Sequence, residues 1–219
     1  MSEKKVLVFD LETIPDPTAM SCLQEIKPKA NLKDPAKIAE DIAEKKQAQI
    51  LSMGLDPACN MICCFGYCDA NGPGSIMLTD ATHEAEKDLL LKAWDLMSKY
   101  DVFVGFNSRA FDVRCLLLHG MLRGVRPSVN LDKGKYNRTG TNHVDLRQTL
   151  AGQDQFARGN LEFFSGRFLG EHKTEGIDGA MVSSFWDMGL YEDIAQYCEQ
   201  DCVLTYRLYQ MADAAGLLE

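Results

Sequence analysis

Near the start of the chain, the run VLVFDLETIPD places four apolar residues, Val6 to Phe9, directly before Asp10 and Glu12. A run apolar on both faces suits a central strand covered by helices on both sides. Residues two apart on a strand point the same way, so Asp10 and Glu12 project together from one side at its C-terminal end. An unpartnered buried carboxylate is costly. Either the chain has already turned into solvent at these acids, or a cation meets the pair. The first alternative suits Asp16 better than Asp10, which follows the apolar run without a break.

Later segments supply a frame for that strand, expected at 4–10. NMICCFGYCD and SIMLTD read as two strands joined by NGPG, a strong hairpin signal. THEAEKDLLLKAWDLMSKY reads as a helix, with Thr82 and Glu86 just out of capping-box register. DVFVGF, 101–106, is a second buried strand. It turns into a helix that ends near Gly120 or Gly124. HVDLRQTL is a short strand and its exit, NLEFFSGRFLG a short helix, and IDGAMVSSFWDMG a connecting segment. YEDIAQYCEQDCVLTYRLYQMADAAG is a long final helix. Residues 15–57 interrupt the expected second strand and carry a charged helical pattern, with Asp34 as N-cap and Pro35 in the first turn. One hairpin followed by βα crossovers implies an α/β fold, a mixed sheet with helices on both faces. Right-handed crossovers let strand 101–106 lie parallel to strand 4–10. Their C-terminal ends then meet at a topological switch point, where α/β sheets place their sites.

The chain has 219 residues, enough for a single domain over 1–219 with a helical insertion at about 16–57. No stretch is long and apolar enough for a membrane span, and no signal peptide is seen, so a cytoplasmic protein is expected. The eight cysteines are then reduced thiols. Cys59, Cys63, Cys64 and Cys68 lack zinc-ribbon spacing and read as thiols of a strand. The net charge of −9 disfavours a general nucleic-acid binder unless cations and a local basic patch compensate.

Two more acids fall where the switch point needs them. Asp112 sits in the first turn of the helix after strand 101–106. It either complements the helix dipole there or faces Asp10 across the switch point. Asp201 lies on the inward stripe of the final helix, four residues after Tyr197 and on the same face. A bond to the tyrosine hydroxyl would satisfy Asp201 but leaves the other three acids unexplained. Four such carboxylates can hold two hard divalent cations, Mg²⁺ or Mn²⁺. Two ions about 4 Å apart stabilise the attacking and leaving oxygens of an in-line phosphoryl displacement.

FDLET (Phe9–Thr13), GFNSRAFD (Gly105–Asp112) and YCEQDCVLTY (Tyr197–Tyr206), in that order, resemble the DEDD 3′–5′ exonucleases of the ribonuclease H-like superfamily. The Y-x3-D form of the last motif is that of the tyrosine subgroup. Its context looks most like the predicted exonucleases related to the proofreading domain of family B DNA polymerases. Cys202, after Asp201, departs from the commoner aliphatic residue. The resemblance implies a ribonuclease H-like five-stranded mixed sheet. It also implies a metal-dependent 3′–5′ exonuclease that releases nucleoside 5′-monophosphates. Asp10, Glu12, Asp112 and Asp201 would hold two divalent cations. Tyr197 would orient the attacking water or help deprotonate it, though a phenol is a poor base at neutral pH. Thr13 and Asn107 match positions that contact the terminal nucleotide, or else are a strand-end hydroxyl and a helix N-cap. Asp145 would be a supporting residue.

The implied partner is a nucleic-acid 3′ end, single-stranded, DNA or RNA. No separate binding module or polymerase domain is visible, so a free-standing nuclease, or one recruited by another protein, is expected. Lys133, Lys135 and Arg138 around Tyr136, preceded by Arg123 and Arg126, either track a single strand or form a solvated loop. Two other readings compete. VFDLET loosely echoes the start of haloacid dehalogenase-type phosphatases, but Glu12 replaces the second Asp and no downstream Lys and Asp-Asp pair follows. A non-catalytic nucleic-acid-binding or partner-binding module on the same fold is the other.

Overall fold

The computed structural model describes residues 4–131, 142–151, 159–173 and 176–218. Five strands form one sheet in the order β3-β2-β1-β4-β5: β1 (Val6–Pro15), β2 (Asn60–Asp69), β3 (Gly72–Met77), β4 (Val102–Gly105) and β5 (His143–Asp145). β2 runs antiparallel to β1 and β3, while β4 pairs in parallel with β1 on one side and with β5 on the other. The mixed sheet and the parallel β1–β4 contact match the expectation from the hairpin and crossovers.

The helices are α1 (Pro35–Met53), α2 (His83–Met97), α3 (Asp112–Arg123), α4 (Leu146–Leu150), α5 (Leu161–Phe168), α6 (Val182–Asp187) and α7 (Tyr191–Ala214). They cover both faces, and β1 shows how. Leu7, Phe9 and Leu11 enter one core with Leu89, Leu90 and Trp94 of α2 and Leu116 of α3. Val8, between them, enters the other with Leu146 of α4, Phe164 of α5 and Leu204 and Leu208 of α7. Side chains alternate along a strand, so Asp10 and Glu12 continue the Val8 side.

β1 is longer than the sequence suggested. It pairs with β4 only from Val6 to Val8, but its pairing with β2 runs on to Pro15, with an irregularity between Glu12 and Thr13. The two acids therefore sit where the parallel neighbour has ended and the antiparallel one has not.

The insertion holds a 3₁₀ turn, Pro17–Cys22, and α1. Asp34 caps α1 as expected by accepting from the Ala36 amide. Only Asp41 and Met53 of α1 are buried, and Asp41 pairs with Lys29 and Lys45. Thr82 caps α2 through the Ala85 amide, and Glu86 lies beyond the cap, in the core. It accepts from the Ile62 amide at 2.8 Å, His119 Nδ1 at 2.6 Å and Arg123 Nε at 2.6 Å, tying α2 and α3 to β2. Burial pushes its pKa up, but these partners outweigh burial and hold it below the usual carboxylate value.

The stretch expected to be a plain connection contains α6. Its Val182 is buried, and Phe185 and Trp186 pack on the first core. The apolar spacing was hidden by its shortness. All eight cysteines are free, with Cys63 and Cys64 fully buried in β2. Among the described residues, no helix is long and apolar enough to cross a membrane.

Candidate active site

Asp10 pairs with Gly66 and Glu12 with Cys64 across β1 and β2. On the other edge, beyond the end of β4, the Leu11 amide donates to Asp112 Oδ1 at 3.0 Å. Asp112 is the first residue of α3, so both sequence readings hold together: it is an acid at a helix N-terminus and it faces β1.

The turn that delivers Asp112 is held by Asp145. Its two carboxylate oxygens accept from the Asn107 and Arg109 amides, each at 3.0 Å, and Oδ1 also from Gln148 at the start of α4. Asn107 adopts a left-handed conformation, φ +64°. Asparagine tolerates this region better than most residues. The turn is tight: a Cβ on Gly105 would lie 2.4 Å from Ser108 Cβ. Asn107 is not the N-cap of α3, which begins five residues later after Phe111, without a side-chain cap. Thr13 is buried and its hydroxyl donates to the Gly54 carbonyl at 2.6 Å, which fastens β1 to the end of α1.

α7 brings the remaining groups. Tyr197 and Asp201 are buried on the face that packs against the sheet. The direct tyrosine–aspartate bond weighed from the sequence is replaced by a bridge. Lys173 Nζ lies 2.5 Å from Asp201 Oδ2 and donates to the Tyr197 hydroxyl at 2.6 Å. It also sits 4.6 Å from the centroid of the tyrosine ring. Glu162 of α5 fixes the segment by accepting from the Lys173 amide at 2.7 Å. Asp201 Oδ1 is buried and has no hydrogen-bond partner among the described residues.

The electrostatics mark this cluster as strained without a cation. Burial, and then the neighbouring Cys198, Asp112, Glu12 and Asp201, push the Asp10 carboxyl well above its usual pKa. Burial, Cys198 and Asp201 do the same to Glu12, against some relief from Lys173. Burial raises Asp112 to about 8, and raises Asp201 to about 6 despite Lys173. Burial and then Asp201 push the Tyr197 phenol upward, and Lys173 only partly offsets them. Crowded oxygen donors with one unpartnered buried oxygen fit a hard divalent cation. One ligand atom from each of Asp10, Glu12 and Cys198 lies within 4.8 Å of the others.

Lys173 and Cys198 escaped the sequence reading. Lys173 is a single basic residue in a polar loop, with no periodicity to flag it. Cys198 adjoins the tyrosine motif but carries no spacing signal. The proposed basic track does not form as expected at Arg123, whose guanidinium is turned inward onto Glu86 and Asp16. Lys133, Lys135, Tyr136 and Arg138 lie outside the described residues. A cleft of about 490 Å³ opens along the next face of α7, lined by Pro73, Phe185, Asp193, Gln196, Glu199 and Gln200 among others. None of the candidate acids lines it.

A family model described as a predicted 3′–5′ exonuclease related to the exonuclease domain of PolB matches residues 58–217. The match contains Asn107, Asp112, Tyr197 and Asp201 and begins after Asp10, Glu12 and Thr13. Among solved structures, the chain is similar to the family B DNA polymerase from the hyperthermophilic archaeon Pyrobaculum calidifontis. The TM-score is 0.61 at 17% identity, over 96% of this chain and 25% of that one, so the likeness is one of fold. No curated protein matches.

Proposed function

The chain belongs to the family of predicted 3′–5′ exonucleases related to the exonuclease domain of PolB, and from that premise we propose that it is an active, metal-dependent 3′–5′ exonuclease. Its substrate is the 3′ end of a single-stranded nucleic acid, DNA or RNA, and its products are nucleoside 5′-monophosphates. The observation that carries this reading is that Asp10 and Glu12 lie close together and both feel the charges of Asp112 and Asp201. Their carboxyls are all pushed up in pKa, and one buried oxygen of Asp201 has no partner among the described residues.

On this reading the four acids hold two divalent cations, Mg²⁺ or Mn²⁺, which when bound stabilise the attacking and leaving oxygens of phosphoryl displacement. The protein's own groups do the rest. Asp112 is oriented by the Leu11 amide, which leaves its second oxygen for the site. Tyr197 accepts from Lys173 and its phenol is pushed upward, so it stays protonated. A protonated hydroxyl orients water or a phosphate oxygen by donating to it, and it does not remove the proton. Lys173 keeps Asp201 and Tyr197 in register and places a positive charge beside the incoming polyanion. Asn107 is placed as a contact to the terminal nucleotide, and Thr13 as a residue that positions the strand beneath it. Thr13 acts through its placement at the β1 irregularity, since its hydroxyl is engaged.

We further place residues 1–219 in a single exonuclease domain, with 16–57 as its insertion. The eight free thiols suit the reducing cytosol. Recruitment by a protein partner fits the strongly acidic chain, which has little to attract a polyanion from a distance. The test is degradation of 5′-labelled single-stranded DNA and RNA in Mg²⁺ or Mn²⁺. Stepwise shortening by the protein, lost in Asp10→Ala and in Asp201→Ala, is expected. Shortening that persists in both variants sinks the assignment.

One observation favours a non-catalytic binding module on the same fold: Lys173 already supplies Asp201 with a cation. That reading predicts no heat of Mn²⁺ binding in calorimetry, whereas the exonuclease reading predicts binding that Asp10→Ala abolishes.

A further inference from the structure

Cys198 is left without a task by the proposed reaction, yet it lies inside the acid cluster. It is fully buried on α7 between Tyr197 and Asp201. Its sulfur is 3.6 Å from the Asp10 carbonyl oxygen and 3.8 Å from Asp10 Oδ2. With Glu12 it completes a group of three ligand atoms within 4.8 Å of one another. Small side-chain rotations would bring all three onto one ion.

Two independent features show that this is more than a stray thiol. The first is a cradle in the sheet. Gly66 pairs with Asp10, and a Cβ there would lie 2.6 Å from the Cys198 sulfur and 3.1 Å from its carbonyl oxygen. Only glycine lets the sulfur descend beside the carboxylate. The second is Asp201 Oδ1, a buried oxygen without a partner among the described residues, on a residue near enough to raise the pKa of both Asp10 and Glu12.

We propose that Asp10, Glu12 and Cys198 form a mixed oxygen and sulfur site that captures thiophilic divalent cations, Zn²⁺ above all, and thereby arrests the enzyme. The inference rests on the proposed metal role of Asp10 and Glu12. Mg²⁺ gains nothing from a thiolate, whereas Zn²⁺ binds it strongly, so the sulfur separates the two ions. Capture forms a metal–sulfur bond and releases to the buffer the proton that Cys198 and Asp10 hold between them; nothing is oxidised. Arrest follows because the ion held by the sulfur takes the Asp10 and Glu12 oxygens that the proposed pair of Mg²⁺ ions would need.

The test uses the full chain with Cys22 and Cys59, the less buried thiols, replaced by serine. Cd²⁺ is the probe, read by its ultraviolet sulfur-to-metal charge-transfer absorption. A stoichiometric band is expected that Zn²⁺ displaces and Mg²⁺ does not, and that Cys198→Ser abolishes. Asp10→Asn, which keeps the thiol, is expected to raise the half-saturating Cd²⁺ concentration by at least about tenfold. An unchanged band in Cys198→Ser overturns the proposal. Should that variant not fold, an unchanged half-saturation in Asp10→Asn overturns it. Zn²⁺ at the level that fills the site is expected to halt degradation of a labelled strand in Mg²⁺, and continued degradation overturns the arrest. The band needs no turnover. A protein with the band but no degradation keeps this site and loses the nuclease reading. A protein with Mg²⁺-dependent degradation and no Cys198-dependent band keeps the nuclease and loses the site.

Discussion

The Leu11 amide donates to Asp112 Oδ1 at 3.0 Å and joins residues 101 positions apart. β4 pairs with β1 only as far as Val8, so this amide lies past the reach of the neighbouring strand. A carboxylate proposed as a metal ligand thus also completes the backbone of the strand that carries the other two. The predictions for Asp112 divide accordingly. Asp112→Asn keeps an oxygen for Leu11 and is expected to fold normally. Asp112→Ala strands a buried amide and is expected to lose about 1–3 kcal/mol in urea unfolding. Both are expected to lose degradation in Mn²⁺ by at least about a hundredfold. Equal stability of the two variants would show that the Leu11 bond contributes nothing.

The acid cluster sets a sign for pH. Asp112 is raised from 3.8 to about 8, chiefly by burial, so between those values the folded chain holds a proton that the unfolded chain has lost. Stability from this group is complete below pH 3.8 and is lost as pH rises through about 8. Asp10 and Glu12, also raised, act in the same direction. His143 opposes them at lower pH. Burial and Arg109 lower it from 6.5 to about 3, so its contribution grows with pH and is complete above 6.5. Between 6.5 and about 8 His143 no longer contributes a slope, and Cys198, which hydrogen bonds hold well below the usual thiol value despite burial, opposes the raised acids as one group against three. In EDTA the melting temperature is expected to fall across this window. Mn²⁺ is expected to remove the fall, because bound cations favour the ionised acids. A flat or rising melting temperature in EDTA would count against the buried acid cluster.

Lys173 is the residue whose loss separates placement from charge neutralisation. Lys173→Met removes the ammonium from Asp201 and Tyr197 while keeping most of the side-chain packing. Without metal, the variant is expected to be less stable by about 1–3 kcal/mol, the worth of hydrogen bonds to a charged group. Saturating Mn²⁺ is expected to restore the stability but not the rate, which stays roughly 10- to 100-fold low. Full recovery of the rate would make Lys173 a stand-in for the cation and no more.

The sequence carried the parts of this site that depend on period. Alternation put Asp10 and Glu12 on one face, and helical spacing put Tyr197 and Asp201 on another. The crossovers made β1 and β4 parallel neighbours, as observed. What escaped depends on contacts between distant segments. β1 runs to Pro15 because β2 pairs with it beyond the end of β4, which no local signal reveals. Arg123 looked like a surface base, but Glu86 lies buried opposite it. Lys173 carries no periodic signal, and only the packing of α7 places Asp201 beside it. Of the two readings of Asn107, the helix cap fails, because Asp145 claims its amide and holds a left-handed turn there.

Gly66 tests how closely α7 must approach the sheet. A Cβ at this position would lie 2.6 Å from the Cys198 sulfur, 3.1 Å from its carbonyl oxygen and 3.2 Å from its carbonyl carbon. The sulfur can rotate, but the backbone of a 24-residue helix packed on β1, β2 and β3 cannot. Gly66→Ala is therefore expected to lift α7 by a few tenths of an ångström and to cost about 1–3 kcal/mol by overpacking. Tyr197 and Asp201 flank Cys198 on the same helix, so the lift also moves them from Asp10, and degradation should slow. Combining it with Cys198→Ala removes the sulfur contact but not the backbone ones, so stability should recover only in part. Gly179→Ala, with nothing within 4 Å of the added carbon, is the control and should stay within about 0.5 kcal/mol of the parent. Full recovery in the double variant would place the whole constraint on the thiol, and an unaffected Gly66→Ala would mean that α7 need not sit this close.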